Sequence, residues 1–155
     1  MCLSRIFSNF SLKYLKVFGA DCFNIALEAV RISTKYMTPV MILSDAYIAN
    51  ASEPWLIPNI DNIQEFPIEF KKDKDNFQPF KRNSKTLSRE WVIPGTPGLE
   101  YRIGGLEKNS ITGNISYDSD NHSEMTEIRA EKILRVASDF EKLEVVGPDK
   151  GNILL

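Results

Sequence analysis

The chain has 155 residues, 43% hydrophobic and 26% charged, enough for one ordinary folded domain and too apolar for a disordered tail. Its net charge of −2 leaves no electrostatic reason to expect nucleic acid or an anionic membrane as partner. Two cysteines, Cys2 and Cys22, with no C-x-x-C pair, exclude a four-thiolate zinc or iron–sulfur site held by this chain alone and a disulfide framework, and they fit a cytoplasmic protein.

Residues 1–20 form a poorly defined N-terminal segment. Its apolar stretch is interrupted by Arg5, Lys13 and Lys16, so neither a signal peptide nor a membrane span forms there. Asp21 is placed to cap a helix from about Cys22 to Lys35. Phe23, Ala26, Leu27 and Val30 follow helical spacing, and Ile25, Ala29 and Ile32 fill another face, which predicts burial on more than one side. Pro39 opens a short apolar strand, Val40 to Leu43, of the kind found at the centre of a parallel sheet.

The loop that follows, Ser44 to Trp55, stands at the strand's carboxyl end, where open α/β sheets meet ligands and partner subunits. It supplies one carboxylate, Asp45, with no second acid, base or nucleophile to complete a catalytic set. Tyr47 and Trp55 beside Ala49 and Ala51 suit a packed interface. Asp45, Tyr47, Asn50 and Trp55 are therefore candidates for subunit contact rather than chemistry. The plainer alternative is that the two aromatics cover their own helix.

Six of the eight prolines fall within residues 53–98, which argues against a long helix or a central strand there. Trp55, Phe66, Phe70, Phe77, Phe80 and Trp91 make the stretch too aromatic for a solvated linker. It reads as an extended arm that packs on its own domain or on a partner. The basic run Lys71-Lys72-Asp73-Lys74 is diluted by acid and reads as a solvated loop.

Residues 99–117 alternate as short strands, with turn signals at Gly104-Gly105 and Thr112-Gly113-Asn114. A helix over 121–140 follows, with Asn121 and Glu124 as a capping box and Ala130, Ile133, Leu134 and Ala137 as its apolar stripe. Glu131 and Arg135 are set for an i, i+4 ion pair. His122, the single histidine, has no nucleophile or second ligand near it in sequence and reads as a surface residue. The apolar ending Ile153-Leu154-Leu155 and the isolated helix–strand unit lead to the expectation of a piece of a larger α/β protein.

The block Asp21-Cys22-Phe23 through Trp55 resembles the alpha subunit of the 2-oxoacid:ferredoxin oxidoreductase family, most closely its 2-oxoglutarate members. So does Ile93-Pro94-Gly95-Thr96-Pro97-Gly98-Leu99-Glu100-Tyr101-Arg102-Ile103-Gly104-Gly105-Leu106-Glu107-Lys108, followed by Thr112-Gly113-Asn114-Ile115-Ser116-Tyr117 and Asn121-His122. The likeness runs from about Asp21 to Leu155. It departs at Ala46, where the family usually has glycine, so a backbone of positive φ there would be strained.

The resemblance implies an α/β fold in pieces. Residues 21–56 would close a thiamine-pyrimidine-binding domain as a helix plus a parallel strand. Residues 57–140 would be a Pro-rich connecting arm with short strands and a helix, and 141–155 the start of a transketolase-C-terminal-like domain. It also implies a complete complex using thiamine diphosphate, magnesium and an iron–sulfur cluster, with a beta subunit and ferredoxin as partners. That complex would decarboxylate 2-oxoglutarate to succinyl-CoA. Pyruvate or a branched-chain 2-oxoacid as substrate, and a non-catalytic interaction piece, remain alternatives. The family's ring-activating glutamate and its Tyr-Pro-Ile-Thr-Pro motif have no counterpart in these residues. No catalytic, cofactor-binding or metal residue is therefore carried over, and the chain alone is expected to bind none of these cofactors.

Overall fold

The computed structural model describes residues 12–15 and 19–140. The sequence first lays down a βαβ unit. Strand β1 (Leu12–Leu15) leads through helix α1 (Gly19–Tyr36) to strand β2 (Val40–Leu43). The strands pair in parallel, with Leu12 opposite Val40 and Leu15 opposite Leu43. A helical crossover is what parallel pairing requires. The N-terminal stretch, expected to be undefined, thus contributes a neighbour for β2. Four residues of matching extended backbone are enough to form the ladder once α1 reverses the chain.

Helix α1 begins two residues before the expected cap, and Asp21 lies inside its first turn. There its carboxylate still faces the positive end of the helix dipole. The helix ends in a Schellman-type arrangement. Met37 takes a φ of 47°, and the Thr38 amide donates to the Ser33 carbonyl at 3.3 Å. The inward stripe is Ala29, Ile32 and Tyr36, all buried, while Ala26 and Val30 face outward. Of the two apolar faces visible in sequence, the one holding Ala29 and Ile32 is the face covered.

Helix α3 (Ser119–Val136) supplies the other side of the core. Ile32, Tyr36 and Val136 form its centre, with Ile25, Val40, Ile133 and Phe140 packed around them. Each full burial of an aliphatic side chain there contributes about 1.5–3 kcal/mol. Ion pairs close the edge: Asp139 accepts from Arg31 at 3.0 Å and from Lys35 at 2.7 Å. Burial pushes the Asp139 carboxyl upward, but those cations outweigh it and hold it below the usual carboxylate range.

The start of α3 differs from expectation. Asp118, not Asn121, is the N-cap, accepting from the Asn121 amide. Asn121 is buried instead and bonds the loop before it: its Oδ1 accepts from the Ser110 amide and its Nδ2 donates to the Lys108 carbonyl, both at 2.9 Å. The expected stripe is also displaced. Ala130 and Leu134 are exposed, and the inward positions are Asn121, Met125, Lys132 and Val136. The Glu131–Arg135 pair forms at 3.0 Å.

Strand β2 is not a buried central strand. Only Val40 reaches the core, and Met41, Ile42 and Leu43 are 48%, 37% and 43% exposed. Among the described residues β2 has one neighbouring strand and one covering helix, which cannot shield both faces. The short strands expected over 99–117 do not form, and pairing within that stretch is one isolated Lys108–Ile115 bridge. Turns use the backbone instead. Pro94-Gly95 and Pro97-Gly98 each sit at the centre of a turn, closed by Thr96 N–H to Ile93 and Leu99 N–H to Thr96. Gly95 and Gly98 take the positive φ that the second central position of a type II turn demands, 87° and 83°.

The expected turn at Thr112-Gly113-Asn114 forms around Asn109, whose Oδ1 accepts from the Ile111 and Thr112 amides. The transketolase-C-terminal-like start and the strand at Ile153-Leu154-Leu155 lie outside the described residues.

The arm packs its aromatics on its own chain. Trp91 donates from Nε1 to the Thr34 carbonyl of α1 at 3.0 Å. Phe77 meets Tyr101 edge-on at 6.4 Å, and Phe80 fits so closely under Gly113 that a Cβ there would lie 2.6 Å from its ring. Phe70 remains 41% exposed.

Candidate functional site

The residues at the carboxyl end of β2 form a short helix, α2 (Ala46–Asn50). Asp45 caps it, its Oδ1 accepting from the Ile48 amide at 2.8 Å. Asn50 turns inward along the same helix and donates from Nδ2 to the Ala46 carbonyl at 2.7 Å. Two of the four candidate residues therefore shape the loop. Ala46 has ordinary helical backbone and is absent from the positive-φ positions, so the alanine where the family usually has glycine carries no strain.

The two aromatic candidates separate. Trp55 packs its ring against Phe23 of α1 at 5.4 Å and remains 44% exposed. Tyr47 is 85% exposed. Glu53 fastens the loop to the start of α1 by accepting from the Ala20 amide. Beyond it Leu56, Ile57 and Ile60 are 91%, 86% and 78% exposed. Met41, Ile42 and Leu43 on β2 are further exposed large apolar residues.

A second constellation, not singled out in the sequence analysis, gathers cations. Arg82 and Arg89 of the arm face each other across an antiparallel bridge. Their guanidinium groups lie over Phe80 at 5.6 and 4.5 Å, and that of Arg89 also over Tyr101 at 5.5 Å. Arg129 and Lys132 join them from α3. Burial, reinforced by repulsion from Arg89 and Arg129, pushes Arg82 down to about 10. Burial and the three arginines push Lys132 down to about 8. The pair Arg129 and Lys132, three residues apart on the inward face of α3, was the one trace of this cluster in the sequence.

Glu107 borders the cluster. It accepts from Arg129 at 3.2 Å and meets His122 Nδ1 at 2.7 Å. Burial raises the Glu107 carboxyl, yet these partners outweigh it and hold it below the ordinary carboxylate range. His122 has an exposed side chain, and its observed contact is this carboxylate, in keeping with the surface role expected of it.

These residues do not fit the cofactors that the resemblance implies. Among the described residues no group of three or more His, Cys, Asp or Glu side chains could hold a metal ion. The carboxylate at the β2 end, Asp45, is committed to a backbone amide and exposed, so it cannot press on a thiamine ring from a dry wall. No step of thiamine chemistry is therefore derived from these side chains.

A βαβ unit that feeds a turn-rich arm defines an α/β domain segment, and comparison with known proteins gives its class. Residues 19–118 match the family described as pyruvate flavodoxin/ferredoxin oxidoreductase, thiamine diphosphate-binding, and the chain belongs to that family. Its relatives are subunits of enzymes. It is 53% identical over 114 residues to the 2-oxoglutarate oxidoreductase subunit KorA of Mycobacterium tuberculosis, a match covering 74% of this chain and 18% of that protein. The fold is similar to a 2-oxoglutarate:ferredoxin oxidoreductase from Magnetococcus marinus solved with 2-oxoglutarate, coenzyme A and succinyl-CoA bound. There the TM-score is 0.80 at 22% identity, covering 90% of this chain and 24% of that one. The chain thus spans about a fifth of the length of these relatives. Among the described residues no helix is long and apolar enough to cross a membrane.

Proposed function

We propose that this chain forms part of the alpha subunit of a cytoplasmic 2-oxoglutarate:ferredoxin oxidoreductase. The complete enzyme converts 2-oxoglutarate and coenzyme A to succinyl-CoA and carbon dioxide and passes the electrons to ferredoxin. The observation that carries this reading is the 53% identity over 114 residues to a 2-oxoglutarate oxidoreductase subunit. Thiamine diphosphate, magnesium and an iron–sulfur cluster belong to the complete complex, which includes a beta subunit. The contribution of these residues is structural. Asp45 and Asn50 hold α2 in place, and Tyr47, with the outer face of Trp55, is offered to a neighbouring subunit. Residues 21–56 are taken as the end of the thiamine-pyrimidine-binding domain and 57–140 as the connecting arm.

The test is a chimera in which the matching 114 residues of the mycobacterial subunit are replaced by those of this chain. Coenzyme A-dependent viologen reduction is then measured with 2-oxoglutarate, pyruvate and a branched-chain 2-oxoacid. Retained turnover with 2-oxoglutarate preferred is the expected result. A shift of preference to another 2-oxoacid, or assembly without turnover, overturns the proposal. The purified chain alone, supplied with all cofactors, is expected to reduce no acceptor.

A further inference from the structure

We draw no further inference here: the strongest candidate, the run of exposed apolar side chains Met41, Ile42 and Leu43 on strand β2, whose pairing among the described residues is with β1 alone, carries nothing because nothing in the structure shows what covers it.

Discussion

Lys132 shows how one side chain inherits the electrostatics of a whole neighbourhood. Its folded titration point of about 8 lies below the ordinary 10.5, so the folded state releases this proton first. Below pH 8 the ammonium is charged in both states and its burial penalty is present in full. Between 8 and 10.5 the unfolded chain binds more protons, so this contribution to stability rises with pH. Lys132→Met should therefore stabilise the chain at pH 7 by about 1–3 kcal/mol, with the gain shrinking toward pH 10. Urea midpoints at the two pH values check this, and a constant difference would refute it. Tyr47 and Trp55 make the opposite pair. Trp55→Ala removes the contact with Phe23 and should cost the chain about 1–2 kcal/mol, whereas Tyr47→Ala, with its ring 85% exposed, should stay within about 0.5 kcal/mol. In the assembled enzyme Tyr47→Ala should weaken subunit association by about 1 kcal/mol or more, read by sedimentation. If the complex forms normally yet loses turnover, the interface assignment is wrong.

Among the elements, the turns of the arm carry the most demanding geometry. Gly113 and Gly95 both take positive φ, yet their surroundings differ. A Cβ on Gly113 would meet Phe80 at 2.6 Å, while one on Gly95 meets nothing within 4 Å. Gly95→Ala should cost about 1–2 kcal/mol from backbone strain alone, and Gly113→Ala about 2–4 kcal/mol because the Phe80 ring must also move. Thermal denaturation of both variants separates the terms, and equal losses would mean that Phe80 yields freely. Phe80 in turn supports Arg82 and Arg89, so displacing it should also loosen the cation cluster. The turn at Thr112-Gly113-Asn114 was legible in the sequence because glycine reaches the positive φ such a turn needs, 72° at Gly113, without strain. The strands expected over 99–117 were not, since alternation creates a strand only where a partner edge exists, and here Asn109 and Asn121 take up the backbone groups instead.

For the molecule as a whole, the parallel pair β1–β2 has one covering helix, and β2 leaves Met41, Ile42 and Leu43 substantially exposed. Among the described residues β2 pairs only with β1, and an apolar strand with an unpaired edge is a template for pairing with another chain. The chain in isolation should therefore self-associate in sedimentation velocity runs, and Met41→Lys should raise the monomer fraction. A wild-type chain that stays monomeric and unfolds in one sharp transition would contradict this.

The amino-acid order alone determined that α1 and α3 would be helices, that Val40–Leu43 would be a strand, and that Thr112-Gly113-Asn114 would turn. Each follows from propensities acting within a few residues. It also carried the motifs by which the family resemblance is recognised. Tertiary structure decided which helical face is covered, because periodicity defines a stripe but not its neighbour: Ile32 rather than Leu27 meets Val136. It decided that Asp118 caps α3 while Asn121 is spent on the loop before it. It alone created the cation cluster, because the field at Lys132 is a sum over Arg82, Arg89 and Arg129, brought together from the arm and α3. Local chemistry is written in the order of residues; fields and covered faces depend on distances that only the folded chain sets.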